Sequence, residues 1–369
     1  MKFKKLVSLS ASLVMCASMI TGCSSKSENE GTNKTSDISV GIVLGEGSIN
    51  DESFNQATWE GLKQAEEEFG IDVKYLESKQ QSDYIPNIET LIDEDTDLII
   101  GVGYQLKDAI QSSAENYPEI NFAILDETYE NIPSNVIPVV FNEQESAYLT
   151  GVIAAKMSKT NKVGFIGGLP APSVVKYQYG YKYGAETTNK DVQVYEQYTN
   201  TFTDQAKGKA IANQMHTSGV DVILGAAGDC GTGAIEAAKE NNKYAIGADR
   251  DQRDLATENV IVSALKKLNV ASYSLAKMVV EGTFEGGTEK VYGLKEGGVG
   301  LPEDSNRLIP QDIIDYVTEQ AKKVINGEML EATEFNGWFY GTPIEGLDEN
   351  SVNIGVFNPA GIEAISGNS

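Results

Sequence analysis

The sequence predicts an α/β protein with two doubly wound parallel-sheet lobes that are joined by a hinge. Three apolar segments of its first half recur 123 or 124 residues later. The pairs are residues 40–45 with 163–168, 97–101 with 221–225, and 122–126 with 245–249. Each segment is a continuous apolar run, which is typical of a strand buried on both faces of a parallel sheet. Strand, helix and strand follow one another twice, so two lobes of the same kind are expected rather than one large sheet.

The first 22 residues have the pattern of an export signal. Three lysines give a positive start, residues 6–20 are mainly apolar, and small residues precede Cys23. The apolar stretch is shorter than the roughly 20 residues that a membrane-spanning helix needs. The position of Cys23 is similar to that in a bacterial lipobox, in which the cysteine is lipid-modified and becomes the mature N-terminus. We therefore expect a lipid anchor; an ordinary signal peptide with an incidental cysteine is the alternative.

A flexible tether is predicted between the anchor and the folded part. Residues 24–37 contain no apolar side chain larger than threonine and cannot pack into a core. About 330 residues follow, more than one hydrophobic core usually supports. The predicted N-terminal lobe comprises residues 38–141 plus about 267–295, and the C-terminal lobe comprises residues 142–266 plus about 296–369. Because the chain then passes between the lobes several times, we expect a hinge on which they can close.

Helices are predicted between the strands, where apolar residues recur at helical spacing. Residues 53–69 carry Trp59 and Leu62 on one face, and Gly70 is suited to end this helix. Further helices are expected at 203–217, 232–241 and 270–280. The apolar segment 260–266 is expected to precede the point where the chain crosses back to complete the N-terminal lobe.

Charge and composition exclude several classes of function. The protein carries 54 acidic and 29 basic side chains, a net charge of −25, which becomes −28 without the three lysines of the signal. Such a surface repels phosphate backbones, and no basic patch is evident, so no nucleic-acid partner is expected. Only Cys230 of the three cysteines lies in the predicted folded part, which excludes an intrachain disulfide there. With His216 as the single histidine, neither a metal site nor a cofactor is predicted.

The carboxyl ends of the predicted strands carry residues suited to hold a ligand, as in other open parallel sheets. The aspartates Asp126 and Asp249 end equivalent strands, and carboxylates accept hydrogen bonds from paired hydroxyls or ring N–H groups. The rings of Phe54 and Tyr177 suit a flat ring or the apolar face of a sugar. Lys266, if buried, can donate to sugar oxygens and offset the nearby carboxylates.

Each candidate also has a structural interpretation. Asp51 and Ser53 are equally suited to cap the helix that follows them. Asp126 and Asp249 can cap a helix or loop, although their matched positions favour a ligand role. The two aromatic rings can belong to the core, and the lysine can lie at the surface.

Three other features are interpreted as structural. Residues 228–233 are glycine-rich but lack the Gly-Lys-Ser/Thr ending of a phosphate loop, so their glycines are expected to let the backbone approach the cleft. Cys230 has no histidine nearby in sequence, which favours a structural thiol over a nucleophile. Trp338 is expected to pack rather than to contact a ligand.

The cleft residues and their surroundings resemble the basic membrane protein family of lipoproteins, whose best-understood members are purine nucleoside receptors of ABC transporters. The most specific motif is Asn-Asp-Glu-Ser-Phe-Asn-Gln at 50–56, followed by Trp-Glu-Gly at 59–61. Further matches are 122–126, 145–151, 165–168, 247–252 and 263–266. The resemblance covers nearly everything after the tether and agrees with a type I periplasmic-binding-protein-like architecture.

The resemblance implies a nucleoside site between the lobes. The positions that match its first-lobe side are Asn50, Asp51, Phe54, Asn55 and Asp126. Those that match the ribose-binding side are Gly228, Asp249 and Lys266. Two departures concern specificity: Tyr177 replaces the usual phenylalanine that stacks on the base, and Arg250 replaces a small residue and brings a positive charge near the site.

The predicted function is that of a non-enzymatic, lipid-anchored binding protein of an ABC importer, on the extracytoplasmic face of the cell membrane of a bacterium without an outer membrane. It is expected to capture a purine nucleoside, such as adenosine, guanosine or inosine, and to deliver it to permease and ATPase subunits. A pentose-binding protein or a ligand sensor of the same fold is the main alternative. A nucleoside hydrolase is a remote one, because hydrolysis needs a general base and usually a metal or an activated nucleophile.

Overall fold

The computed structural model describes residues 37–327. The predicted signal peptide, Cys23, nearly all of the tether and Trp338 lie outside these residues. Between residues 37 and 327, no helix is both long enough and apolar enough to cross a membrane.

The chain alternates between strands and helices along its whole described length. The first part contains β1 (Ser39–Leu44), α1 (Phe54–Phe69), β2 (Asp72–Glu77), α2 (Tyr84–Asp93), β3 (Leu98–Val102), α3 (Lys107–Asn116), β4 (Asn121–Leu125) and β5 (Val136–Phe141). The second contains α4 (Glu143–Met157), β6 (Lys162–Gly167), α5 (Pro172–Thr188), β7 (Gln193–Tyr198), α6 (Gln205–Thr217), β8 (Val222–Ala226), α7 (Asp229–Glu240), β9 (Tyr244–Asp249) and β10 (Val260–Lys266). The last contains α8 (Leu268–Val280), β11 (Lys290–Tyr292), β12 (Val299–Gly300) and α9 (Gln311–Ile325).

Two six-stranded sheets have the same strand order. The first runs β11-β5-β4-β3-β1-β2 and the second β12-β10-β9-β8-β6-β7. Every pair in the first sheet is parallel, whereas β12 is antiparallel to β10 at the edge of the second. This order confirms the predicted fold class, because each recurring apolar segment forms the same strand of its own sheet.

Each sheet is buried between two layers of helices. In the N-terminal lobe, α1 and α8 cover one face of the first sheet, and α2 and α3 cover the other. In the C-terminal lobe, α4, α5 and α9 cover one face of the second sheet, and α6 and α7 cover the other. Burial on both faces explains why the strands are continuous apolar runs.

The chain passes between the sheets three times. The crossings lie between β5 and α4, between β10 and α8, and between β11 and β12. Hydrogen bonds tie them to each other: Asn142 N donates to Tyr292 O at 2.9 Å, and Lys267 N donates to Gly298 O at 2.8 Å. These segments form the hinge of the molecule.

Two glycines of the family-like motifs allow close packing between helices. A Cβ atom at Gly61 of α1 would lie 2.1 Å from Asn269 O of α8, and one at Gly151 of α4 would lie 2.0 Å from Tyr181 O of α5. Only glycine fits such contacts without a backbone shift. The motifs at 59–61 and 145–151 therefore include residues that hold each lobe together.

Candidate functional site

A cavity lies between the lobes, at the carboxyl ends of the strands. Its empty space, including the part that is open to solvent, is about 630 Å³. The loops after β1, β3 and β4 line one wall, and the loops after β6, β8 and β9 and the end of β10 line the other.

The structure brings eight of the nine predicted site residues to this cavity. They are Asp51, Phe54, Asn55, Asp126, Tyr177, Gly228, Asp249 and Lys266. Asn50 is different, because it is exposed and does not line the cavity. Asn50 lies between the buried Ile49 and Asp51 but is itself exposed, and its N–H donates to Ser48 Oγ at 3.3 Å.

Asp51 and Asn55 shape the loop that leads into α1. The buried Asp51 carboxylate accepts the backbone N–H groups of Ser53 and Asn55, each at 2.9 Å, and of Gln56 at 3.1 Å. Burial raises the pKa of Asp51 to about 6, although these hydrogen bonds favour its ionised form. Asn55 Nδ2 donates to Glu46 O at 2.9 Å and to Ser48 O at 3.1 Å. The helix-capping interpretation therefore describes Asp51, which also lines the cavity.

Asp126 and Asp249 occupy equivalent positions but have different partners. Both have a φ of 66°, in the left-handed region. Asp126 Oδ2 forms an ion pair with Lys266, and its Oδ1 is buried without a hydrogen-bond partner. Asp249 Oδ2 accepts from Ser53 Oγ at 2.5 Å, and Oδ1 accepts from the Tyr177 hydroxyl at 3.1 Å. Asp126 thus has an acceptor to offer to a ligand, whereas both oxygens of Asp249 are engaged.

Lys266 is buried at the end of β10, with 1% of its side chain exposed. Its ammonium pairs with Asp126 and, at 3.0 Å, with Glu143, and lies 4.8 Å from the centroid of the Phe54 ring. Burial alone would lower the pKa of Lys266, but the carboxylates of Asp126 and Glu143 outweigh it and raise the pKa, so the lysine stays charged. Burial also raises the pKa of Asp126. A surface position for Lys266 is excluded.

Tyr177 lies on α5 with its ring against the cavity and 3% of its surface exposed. Its hydroxyl donates to Asp249 and, at 3.4 Å, approaches Ala264 O. Burial raises the pKa of this phenol well above its usual value. The additional hydroxyl is therefore held by the Asp249 carboxylate.

Several residues that line the cavity were not predicted from the sequence. Tyr104 and Gln105 follow β3, and Phe202 lies in the loop after β7. The internal repeat could have indicated Tyr104 and its neighbour Gln105. Tyr104 lies 124 residues before Gly228, which is a predicted site residue. Glu143, which pairs with Lys266, was not predicted either. Acidic residues are common at the start of a helix, and the contact with Lys266 is evident only in the structure.

Neither Cys230 nor His216 lines the cavity. The Cys230 thiol donates to Thr201 O at 3.3 Å and Asp204 O at 3.1 Å, and burial raises its pKa. His216 is on α6, with Nδ1 2.9 Å from Val220 O. Within residues 37–327, no three His, Cys, Asp or Glu side chains are grouped so that they could hold a metal ion. The cavity offers hydrogen-bond acceptors, one buried ammonium and aromatic faces, which are the groups of a binding site.

Known proteins resemble this chain over most of its length. Residues 38–334 match the Bmp family, described as ABC transporter substrate-binding protein PnrA-like. Basic membrane protein A of Borreliella afzelii is 40% identical over 299 residues, which cover 79% of this chain and 90% of that one. The ABC transporter nucleoside-binding protein BmpA of Lactococcus lactis subsp. cremoris is 35% identical over 348 residues, which cover 88% and 98%.

The three-dimensional structure is also similar to a solved one. An ABC transporter solute-binding protein from Aeropyrum pernix K1 superposes with a TM-score of 0.74 and 30% identity, covering 79% of this chain and 92% of that one. Its coverage includes both lobes, in agreement with the strand order of the two sheets. The chain belongs to the Bmp family of PnrA-like substrate-binding proteins of ABC transporters.

Proposed function

We propose that this protein captures a purine nucleoside in the cavity between its lobes and delivers it to the permease of an ABC importer. The observation that carries the proposal is the buried, unpartnered Oδ1 of Asp126, a residue that lines a cavity with an aromatic residue on each wall. An unsatisfied buried carboxylate oxygen is costly, and a donor from a ligand removes that cost. The relative from Lactococcus lactis, named for nucleoside binding, supports the ligand class.

The two walls have different roles in this proposal. Phe54 on the N-terminal lobe and Tyr177 on the C-terminal lobe hold the flat base, since each presents a ring to the cavity. Lys266 donates to a ribose oxygen, Asp249 accepts from a ribose hydroxyl with a lone pair that its contacts with Ser53 and Tyr177 leave free, and the backbone at Gly228 approaches the sugar closely. Asp126 accepts a donor of the ligand on the N-terminal side.

Ligand capture is coupled to closure of the lobes. Polar contacts already join the two walls, from Ser53 to Asp249 and from Lys266 to Asp126. A ligand that touches both walls favours this closed arrangement over an open one. We further propose that Cys23 carries lipid and that the tether places the lobes on the extracytoplasmic face of the membrane, next to the permease.

Calorimetric titration of the protein from Ile38 onward tests the ligand. Bound ligand is first removed by unfolding and refolding, and adenosine, guanosine, inosine, cytidine, ribose and xylose are then titrated separately. We expect one-to-one binding of purine nucleosides, with free ribose inert. Binding of a free pentose together with silence from every nucleoside would contradict the proposed ligand and leave the fold untouched.

A further inference from the structure

Arg250 connects the lobes outside the cavity. It follows Asp249 at the end of β9 in the C-terminal lobe, and its guanidinium reaches the N-terminal lobe. Nη1 pairs with the Glu52 carboxylate in the loop before α1, and Nη2 donates to Glu60 Oε1 on α1 at 2.8 Å. One arginine thus bridges two glutamates that lie 190 or more residues away in the sequence.

Gln252 adds a second connection beside it. Its Nε2 donates to the backbone oxygen of Glu52 at 2.8 Å, while its Oε1 accepts from Ala248 N at 3.0 Å. We call Arg250, Gln252, Glu52 and Glu60 the interlobe clasp. None of these four lines the cavity. The clasp therefore joins the two walls without occupying the space where a ligand would lie.

We propose that Arg250 is a positioning residue for ligand capture, which holds the lobes closed over the bound molecule and slows its release. The proposal rests on the proposed function for the identity of that molecule, but the clasp itself is independent of it. Contacts that exist only in the closed state add their free energy to closure and hence to affinity. The side chains are partly exposed, 26% for Arg250, 43% for Glu52 and 44% for Glu60, so each pair contributes little. Together we expect an effect of about 5-fold on affinity.

The clasp is expected to change the rate at which the ligand dissociates rather than the rate at which it associates. A ligand enters before the lobes close, at a stage when Arg250 is separated from Glu52 and Glu60. Loss of the clasp therefore leaves the association rate nearly unchanged and raises the dissociation rate by about the same 5-fold. Because the ion pairs are partly exposed, about 0.5 M NaCl is expected to remove most of the difference.

Stopped-flow measurement of nucleoside release from Arg250→Met tests this, with Arg253→Met as the matched control. Arg253 has a similar exposure of 29%, but its partners Asp251 and Asp304 both belong to the C-terminal lobe. We expect faster release from Arg250→Met at low salt and unchanged release from Arg253→Met. Equal release rates for wild type and Arg250→Met would overturn the proposal.

Charge reversal separates a bridging role from a merely structural one. Arg250→Glu places like charges opposite each other and should release ligand faster than Arg250→Met. The double variant Arg250→Glu with Glu60→Arg restores an attractive pair across the cleft and should recover much of the wild-type rate. A double variant as fast as Arg250→Glu alone would contradict the assignment.

A measurement without ligand keeps this test independent of the ligand's identity. Spin labels at Ser112→Cys on α3 and Lys239→Cys on α7, both exposed positions, report the distance between the lobes, and the native Cys230 is buried. In the ligand-free protein, Arg250→Met should shift the distances measured by double electron–electron resonance toward the open form, and Arg253→Met should not. If no nucleoside binds but this shift occurs, the proposed ligand fails while the clasp stands. Identical distance distributions would overturn the clasp.

Discussion

Asp126 and Asp249 share a left-handed backbone conformation, with a φ of 66° at equivalent strand ends of the two lobes. Aspartate is one of the few residues besides glycine that adopt this conformation readily. The shared geometry directs both carboxylates into the space between the sheets. Their partners differ, because the wall opposite Asp126 supplies an ammonium and the wall opposite Asp249 supplies a hydroxyl.

Asp126→Asn is expected to weaken nucleoside binding about 10- to 100-fold. The substitution replaces one of the two carboxylate oxygens with an NH2 donor and removes the negative charge that pairs with Lys266, and charged hydrogen bonds contribute roughly 1.5–3 kcal/mol. Titration calorimetry measures the change. Asp108→Asn, an exposed acid on α3 of the same lobe, serves as the control and should bind as wild type. Unaltered affinity in Asp126→Asn would exclude a direct role for this carboxylate.

At the element scale, one side chain adds to the hydrogen bonds between the hinge segments. Glu145, in the first turn of α4, accepts Asn142 Nδ2 at 2.9 Å and the backbone N–H of Leu294 at 2.6 Å. These partners belong to two different crossings between the lobes. Glu145 thus fixes the spacing of two hinge segments, which explains why its family-like motif contains a buried acid.

The titration of Glu145 predicts a pH dependence of stability. Burial raises the pKa of Glu145 from its ordinary 4.5 to about 7, although its hydrogen bonds favour the ionised form. The folded state therefore prefers the protonated acid, and this group's contribution is complete below pH 4.5 and is lost as the pH rises through about 7. The loss is on the order of 3 kcal/mol in the free energy of unfolding.

Urea unfolding at a series of pH values between 4.5 and 7.5 checks this expectation. Glu145→Gln cannot titrate, so its stability should fall less with pH than that of wild type. Glu89→Gln, at an exposed position of α2, should keep the wild-type slope. Parallel curves for wild type and Glu145→Gln would show that folding does not raise the pKa of Glu145.

Sequence patterns predicted the strands well because each is an uninterrupted apolar run. The run at 97–101 appears as Leu98–Val102 and that at 245–249 as Tyr244–Asp249. The helix expected from 232 begins earlier, at Asp229, because Gly228 with a φ of 54° turns the chain directly into it. The burial of Glu143 was not predictable. Glu143 begins α4, whereas its partner Lys266 lies at the end of β10, more than a hundred residues further along the chain.

At the scale of the whole molecule, contacts between the lobes could not be predicted, because they produce no periodic pattern in the sequence. The matched strand ends predicted which residues of each lobe face the cavity, since the repeat fixes topology. It could not predict that Ser53 would meet Asp249 or that Arg250 would meet Glu52, because these pairs depend on the hinge angle. The exposure of Asn50 has a local cause instead, since it depends on the path of the loop before α1.

The proposed anchoring is tested by fractionating cells that express the full chain. Cys23→Ser removes the only thiol at the predicted lipidation position, so the protein should move from the membrane fraction to the soluble fraction. Cys16→Ser, within the predicted signal, should leave the protein with the membrane. If Cys23→Ser stays in the membrane fraction, another feature holds the protein there.

The second crossing of the chain, between β10 and α8, also bears on the order in which the two lobes are completed during synthesis. The N-terminal lobe needs α8, whose Ser272 Oγ donates to Thr58 O of α1 at 2.7 Å, and it needs β11 at the edge of its sheet. Both follow β10, so the strands β6 to β10 of the other lobe are translated first. A nascent chain that ends at Lys267 has one face of its first sheet incompletely covered. The lobe that begins first therefore finishes only after most of its neighbour has been made, which delays stable folding until the chain is nearly complete.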